Sequence, residues 1–143
     1  MLFRSYKVRV SVAFTFNNEY PRLEYYHNSS FLAYGGSPDK AVRLTFTSVL
    51  DRLCRERGKY KGNESKITFG DVQDSLLLVI SSFSTRTSYE NQTKKAINNR
   101  FIQTFISDLL KEQLQVWAIE NFAEADRVLD QVLINKRSRE SAH

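Results

Sequence analysis

Residues 6–16 alternate between large apolar side chains and side chains that are polar or small. Successive side chains of a β-strand point to opposite faces, so a period of two predicts a strand with one buried and one solvated face. A fold containing this strand needs a sheet whose apolar face is covered by other elements. The apolar positions are Val8, Val10, Val12, Phe14 and Phe16, and the intervening ones are Lys7, Arg9, Ser11, Ala13 and Thr15.

The residues after this strand predict a hairpin. Asn17-Asn18-Glu19 and Pro21 are turn formers, and residues 23–28 are expected to return as the second strand. Tyr25 and Tyr26 in that strand could stack on nucleic-acid bases, but we favour the interpretation that they fill cross-strand positions. His27 has no second histidine or nearby carboxylate at a ligand spacing, so no metal site is predicted.

A helix is predicted from the glycine pair Gly35-Gly36 to Gly58. The glycines permit a turn with positive φ, Ser37 is expected to cap the helix, and Gly58 is a plausible end. The single Cys54 falls in this helix, where a small buried side chain is its expected role. The apolar stripe of the helix consists of Ala41, Val42, Phe46, Val49, Leu50 and Leu53.

The second half of the chain predicts a short helix, a strand and two long helices. Thr68 and Asp71 have the spacing of a capping box, which we favour over an acid pair of Asp71 and Asp74. The continuous apolar run of residues 76–80 predicts a strand covered on both faces. Helical spacing begins at Ile97 and extends to about Glu120, and a last helix follows, lined by Ala125, Val128, Leu129, Val132 and Leu133. Two strands, a helix, a strand and two helices give an α+β layered domain.

Composition places the chain among ordinary globular domains. With 143 residues, 41% hydrophobic content and only two Pro and five Gly, we expect one packed domain rather than a disordered segment. No apolar run approaches the length of a membrane span, and one cysteine suits a reducing compartment, so a cytoplasmic location is expected. The net charge of +5 favours polyanionic partners without identifying one.

Three stretches together resemble the transducer domain of the ATPase (B-type) subunit of type IIA DNA topoisomerases, as in gyrase B and topoisomerase IV. They are Gly35-Gly-Ser-Pro-Asp-Lys-Ala-Val-Arg43, Thr68-Phe-Gly-Asp-Val-Gln-Asp-Ser-Leu76 and Tyr89-Glu-Asn-Gln-Thr-Lys94 with Asn98-Asn99. The resemblance implies a two-layer α+β domain with a left-handed crossover, a fold shared with a ribosomal protein domain. It also implies that the chain is one domain of a larger subunit, with a core over residues 1–120 and a C-terminal helix over 121–143 leading towards the cleavage domain.

The resemblance further implies a nucleotide-sensing role for Gln92 and Lys94. In the family these residues contact the terminal phosphate of ATP, which is bound with Mg²⁺ mainly by a preceding ATP-binding domain. The chain alone is therefore expected to be inactive in ATP hydrolysis. The implied partners are that domain, the cleavage domain, the A-type subunit, DNA and a second copy of the B-type subunit.

A DNA-facing role is implied for Arg43, and the basic C-terminal residues Lys136, Arg137 and Arg139 are expected to offer nonspecific backbone contact. Many gyrases have Gly-Gly-Thr-His where this chain has Ser37-Pro38 after the glycines, so no role of that histidine carries over. An arginine with Asp39 as its helical neighbour could equally be a surface residue. Lys94 could likewise be part of a solvated charge pair with Lys95.

Two other functions remain open at this point. One is the second domain of a MutL-like mismatch-repair ATPase, which also supplies a lysine to a neighbouring nucleotide. The other is a freestanding nucleic-acid-binding α+β module that uses Tyr25, Tyr26 and the basic helices. The Gln92-Thr93-Lys94 context favours the topoisomerase over both.

Overall fold

The computed structural model describes residues 8–84 and 96–142. Within these residues a four-stranded sheet is combined with three long helices, which confirms the predicted α+β class. In chain order they are β1 (Val8–Phe16), β2 (Arg22–His27), β3 (Ser30–Phe31), β4 (Gly35–Gly36), α1 (Ser37–Glu56), α2 (Phe69–Gln73), β5 (Leu76–Ser84), β6 (Ala96–Ile97), α3 (Arg100–Glu120) and α4 (Phe122–Ser141).

The strands of the main sheet lie in the order β1-β5-β2-β3. Strand β5 pairs antiparallel with β1, with Phe14 opposite Leu78, and parallel with β2, with Leu23 opposite Leu78. The predicted hairpin between β1 and β2 is therefore wrong. The most apolar strand, β5, takes the central position because there its backbone groups are paired on both edges and its side chains are flanked by both neighbours.

Only one face of β5 is fully buried. Leu76, Leu78 and Ile80 are completely buried, whereas Leu77 and Val79 on the opposite face are half-buried. The prediction that this strand is covered on both faces is therefore wrong for the part of the chain that the structure describes. The helices pack on the first face, where the apolar side chains of β1 join buried residues of α1, α3 and α4 in one core.

Helix α1 confirms the predicted stripe, since the six residues of that stripe are all buried in the core. Cys54 is a free, buried thiol, and Gly58 follows the helix with a φ of 63°. Ser37 does not cap the helix as predicted. The N-cap is Gly36, and the Ser37 hydroxyl instead accepts a hydrogen bond from the backbone N–H of Asn99 at 2.7 Å.

Helix α3 begins at Arg100, three residues later than the apolar spacing predicted. Ile97 belongs to β6, and Asn99 caps the helix by accepting hydrogen bonds from the N–H groups of Phe101 at 3.0 Å and Ile102 at 3.3 Å. Helix α4 buries the five apolar residues predicted for it. Among the helices that the structure describes, none is long and apolar enough to cross a membrane.

Candidate functional site: the frame of residues 85–95 and the Arg43 cluster

The glycine pair makes two close approaches possible. Gly36 has a φ of +84°, and a Cβ at this position would lie 2.0 Å from the carbonyl oxygen of Ile97. Gly35 has a φ of +70°, and its Cβ would lie 2.6 Å from the Cβ of Asp39. Positive φ values are ordinary for glycine and costly for other residues. The absence of side chains therefore lets β6 pack against Gly36 and the start of α1 pack against Gly35.

These approaches hold the chain directly after residues 85–95. Strands β4 and β6 pair in parallel, with Gly35 opposite Ala96 and Gly36 opposite Ile97. The hydrogen bond from Asn99 to Ser37 continues this attachment to the first turn of α1. The exit of the segment is thus joined to the same turn that starts α1.

The chain directly before residues 85–95 is held by Asn28. The Asn28 amide donates to the carbonyl oxygen of Ser84 at 3.2 Å, and the Ser84 N–H donates back to the amide oxygen of Asn28 at 3.0 Å. Asn28 has a φ of 48°, a conformation that asparagine tolerates better than most residues. Sequence reasoning missed Asn28, because an asparagine at the end of a predicted strand indicates a turn and not a partner.

The predicted nucleotide-sensing residues Gln92 and Lys94 lie outside the described residues, as does Lys95. Their contact with a phosphate stays a prediction. The structure describes the two attachments between which they lie in the chain.

Arg43 lies on α1, one turn after Asp39. Its Nε donates to Oδ2 of Asp39 at 2.7 Å, and its guanidinium carbon lies 4.9 Å from the centre of the Phe69 ring. The side chain is 47% exposed, so it is supported on two sides and still open to solvent. Its DNA contact stays a prediction.

Asp39 is held in place by a buried residue of the core, Tyr25. The Tyr25 hydroxyl donates to Oδ1 of Asp39 at 2.9 Å, and Tyr25 is only 5% exposed. Burial, together with the neighbouring Asp39 carboxylate, holds the pKa of Tyr25 far above its ordinary value, so the phenol remains a donor at any physiological pH. Tyr25 and Arg43 therefore share one carboxylate, each using a different oxygen.

The basic C-terminal residues have intramolecular partners. The Lys136 side chain is 0% exposed, and its ammonium lies 2.9 Å from Glu64 and 3.2 Å from Glu140. Arg137 also pairs with Glu64 at 2.9 Å, and Arg139 pairs with Asp71 at 2.8 Å. A contact of Lys136 with DNA would require its ammonium to leave two carboxylates.

Asp71 serves α2 and α4 together. Its carboxylate accepts a hydrogen bond from the N–H of Thr68 at 2.8 Å, as the predicted capping box requires. Burial raises the pKa of Asp71, but the hydrogen bonds from Arg139 and Thr68 outweigh burial and hold the pKa below its ordinary value. Asp71 is thus a structural anion that is charged at neutral pH.

The aromatic residues of β2 take structural positions. Tyr26 lies opposite Phe31 of β3, with ring centres 5.6 Å apart, and its hydroxyl donates to Glu24 at 3.2 Å. His27 is fully buried, with Nδ1 2.8 Å from the Ser82 hydroxyl. Within residues 8–84 and 96–142, no group of three or more His, Cys, Asp or Glu side chains could hold a metal ion.

Comparisons with known proteins place this arrangement in a family. The family model described as DNA gyrase B matches residues 3–143. The chain is 30% identical over 108 residues to the gyrase B protein of Mycolicibacterium smegmatis, an alignment that covers 76% of this chain and 16% of that protein. It is 26% identical over 136 residues to the gyrase B protein of Mycoplasma pneumoniae, which covers 94% of this chain and 21% of that protein. The chain thus spans about a fifth of these relatives' length.

Solved structures share the fold. The 43K ATPase domain of Thermus thermophilus gyrase B superimposes with a TM-score of 0.84 at 21% identity, over 99% of this chain and 40% of that one. The topoisomerase IV ATP-binding domain of Francisella tularensis gives 0.81 at 19% identity, over 92% and 36%. A family model that matches almost the whole sequence, and a fold shared with these structures, lead to one conclusion: this chain belongs to the DNA gyrase B family.

Proposed function

We propose that this chain is the transducer domain of a B-type subunit of a type IIA DNA topoisomerase, in the cytoplasm. Its role is to couple ATP binding and hydrolysis in a preceding ATP-binding domain to the passage of one DNA segment through another. The observation that carries this proposal is the frame around residues 85–95, in a chain that matches the gyrase B family over residues 3–143. Asn28 holds the entry of this segment, and Gly35-Gly36 with Ser37 hold its exit.

In this proposal Lys94 and Gln92 contact the γ-phosphate of ATP. An ammonium group offsets negative charge that develops during phosphoryl transfer, and an amide donates a directional hydrogen bond. ATP and Mg²⁺ are held mainly by the preceding domain. The two side chains lose their partner once the phosphate leaves, which biases the angle between the two domains.

The nucleotide contact is tested in the complete B-type protein with Lys94→Ala. We expect the variant to lose most of its ATPase activity while its thermal unfolding temperature stays the same, since the change removes one charge from the phosphate. Lys111→Ala, which removes an exposed lysine from α3, is the matched control and should keep the activity. An unchanged ATPase rate in Lys94→Ala would leave Lys94 as an ordinary surface charge.

The missing-domain part of the proposal is tested with the 143-residue chain alone. We expect no ATP hydrolysis above background, because the carboxylate base, the glycine-rich segments and the Mg²⁺ ligand are supplied by another domain. Turnover that disappears in Lys94→Ala would contradict this expectation.

The second contact in the proposal is between Arg43 and the DNA backbone. Arg137 and Arg139, with side chains 34% and 47% exposed, add nonspecific contact through the edges that Glu64 and Asp71 leave open. Lys136 is left out, because its ammonium is fully buried between carboxylates. We expect Arg43→Ala to reduce DNA-stimulated activity of the assembled enzyme more than basal ATPase activity. An equal loss of both would indicate a packing role for Arg43.

The proposed assembly contains two copies of the B-type protein and two A-type subunits.

The alternative of a freestanding single-strand-binding module has less support, because Tyr25 is buried and Tyr26 packs against Phe31. Both rings would be needed as a stacking platform. Binding of single strands at moderate salt by the isolated chain would favour that alternative.

A further inference from the structure

We infer that Asp39, Tyr25 and Phe69 are positioning residues that hold the Arg43 guanidinium ready for a DNA phosphate. These three residues are called the Arg43 mount. The inference rests on the proposed function, since it takes the ligand of Arg43 to be the DNA backbone. It goes further by assigning the residues that orient that arginine.

The mount contacts the Nε atom and one face of the Arg43 guanidinium, and it leaves the two Nη groups open. Asp39 accepts from Nε, and the Phe69 ring covers one face of the guanidinium. Among the residues that the structure describes, no hydrogen bond uses Nη1 or Nη2 of Arg43. The two Nη groups offer a fork of parallel N–H donors, the geometry that binds two oxygens of a phosphate at once.

The mount is anchored in the core and not only on the helix surface. An exposed ion pair four residues apart on a helix stabilises by only a few tenths of a kcal/mol and does not by itself fix an arginine. Here the second carboxylate oxygen of Asp39 is held by the buried Tyr25 hydroxyl. Gly35 lets Asp39 and Tyr25 lie against the backbone, because a Cβ there would be 2.6 Å from Asp39 and 3.3 Å from Tyr25.

The negative charge of Asp39 allows a test of the positioning role by DNA binding. A carboxylate near the DNA path repels phosphate, so its removal should strengthen binding if Asp39 has no positioning role. If Asp39 orients Arg43, its removal should weaken binding although the protein becomes more positive. The two explanations predict opposite signs for the same substitution.

The experiment measures binding of the complete B-type protein to a fluorescent 30-base-pair DNA by anisotropy, between about 25 and 200 mM KCl. Asp39→Asn removes the negative charge beside Arg43 and leaves one amide oxygen where Tyr25 and Arg43 now use two carboxylate oxygens. We expect Kd to rise about threefold to tenfold and the slope of log Kd against log salt to fall by up to about one, as for loss of one phosphate contact. Asp39→Glu, which keeps a carboxylate, should restore most of the binding.

Two variants control for charge and for folding. Glu56→Gln removes the acidic member of another ion pair on α1, that of Arg52 and Glu56, and should leave Kd unchanged or slightly lower. Phe69→Leu removes the aromatic face without changing charge and should weaken binding in the same direction as Asp39→Asn. If Asp39→Asn fails to fold, as judged by circular dichroism, Phe69→Leu and Tyr25→Phe take its place.

The outcomes separate the inference from the proposed function. If Arg43→Ala leaves Kd unchanged, the DNA contact in the proposed function is wrong. If Arg43→Ala weakens binding but Asp39→Asn leaves it unchanged or tightens it as Glu56→Gln does, the positioning inference is wrong and the DNA contact stands. Weaker binding in both Arg43→Ala and Asp39→Asn, with rescue by Asp39→Glu, supports the Arg43 mount.

Discussion

Two glycines with positive φ values, Gly36 and Gly58, differ in the space around them. Gly36 at φ +84° would place a Cβ 2.0 Å from the Ile97 carbonyl, whereas Gly58 at φ +63° has nothing within 4 Å. A non-glycine residue in this conformation costs about 1–2 kcal/mol even in open space. Only Gly36 adds a steric collision with a neighbouring strand.

We therefore expect Gly58→Ala to lower the free energy of unfolding by about 1 kcal/mol and Gly36→Ala by more than about 3 kcal/mol. The larger loss comes from separating β4 and β6, which pair at this point. Urea unfolding followed by circular dichroism measures both variants. Equal losses would show that the close approach of β6 contributes little to stability.

His27 gives the molecule a pH dependence near neutrality. Its imidazole is fully buried, and burial lowers its pKa from the ordinary value of 6.5. Below about pH 6.5 the unfolded chain therefore binds a proton more readily than the folded one, and stability falls as pH falls. The carboxylates with lowered pKa values contribute only at more acidic pH.

We expect the unfolding temperature to decrease between pH 7.5 and 5.5, and to decrease less steeply in His27→Gln. Differential scanning calorimetry at a series of pH values measures the slope, which separates proton binding from the general cost of the substitution. The same slope in both proteins would assign the pH dependence to another group.

At the scale of elements, the end of α4 is attached by charges to the segment between α1 and α2. Glu64 lies between Lys136 and Arg137, and hydrogen bonding by Arg137 is the largest of the effects that hold the pKa of Glu64 well below its ordinary value. Buried ion pairs are costly to break, because the remaining charge is left without a partner. The attachment therefore depends on the complete cluster.

We expect Glu64→Gln to lower the free energy of unfolding by about 3 kcal/mol, since it leaves the buried Lys136 ammonium with Glu140 as its remaining carboxylate. Lys136→Met should cost less, because it replaces the buried charge with an apolar side chain of similar length. Adding Lys136→Met to Glu64→Gln should recover part of the loss. A double variant as unstable as the sum of the two single variants would argue against coupling between these side chains.

The prediction of elements from sequence succeeded where the signal is local. The buried stripes of α1 and α4 follow from helical spacing, which depends only on neighbours within a few turns. The start of α3 was predicted at Ile97 but lies at Arg100. Ile97 pairs with Gly36, which is distant in the sequence, and a local pattern of residues does not predict such a pairing.

At the scale of the whole molecule, the two faces of the sheet are buried to different extents within residues 8–84 and 96–142. Leu78 is fully buried at the centre of the sheet, between Phe14 on β1 and Leu23 on β2. Leu77 is its neighbour on the same strand but points to the half-buried face. The two leucines therefore report on the two faces of a single strand.

We expect Leu78→Ala to lower the free energy of unfolding of this chain by about 3 kcal/mol, through lost burial and the cavity left behind. Leu77→Ala should cost about 1 kcal/mol or less, because its surroundings already include solvent. Urea unfolding of the two variants makes the comparison. Equal costs would show that the second face of β5 is also covered.

The candidate site was predictable in part. The resemblance to the topoisomerase family singled out Arg43, and helical spacing placed Asp39 next to it, one turn earlier on the same helix. The contacts of Phe69 with Arg43 and of Tyr25 with Asp39 could not be predicted, because Phe69 lies on α2 and Tyr25 on β2. The basic end of the chain was expected to contact the DNA backbone, but Lys136 is buried and pairs with Glu64 from a distant loop.

The amino-acid sequence by itself determined the strand of residues 8–16, the buried faces of the long helices and the resemblance to the topoisomerase family, because period, composition and motif are properties of neighbouring residues. The tertiary structure alone decided that β5 lies between β1 and β2, that Asn28 and the glycine pair frame residues 85–95, and that Asp39 shares its oxygens between Tyr25 and Arg43. These arrangements join residues far apart in the chain. Their pairing is selected by the total burial and hydrogen bonding of the folded molecule, which no local stretch encodes.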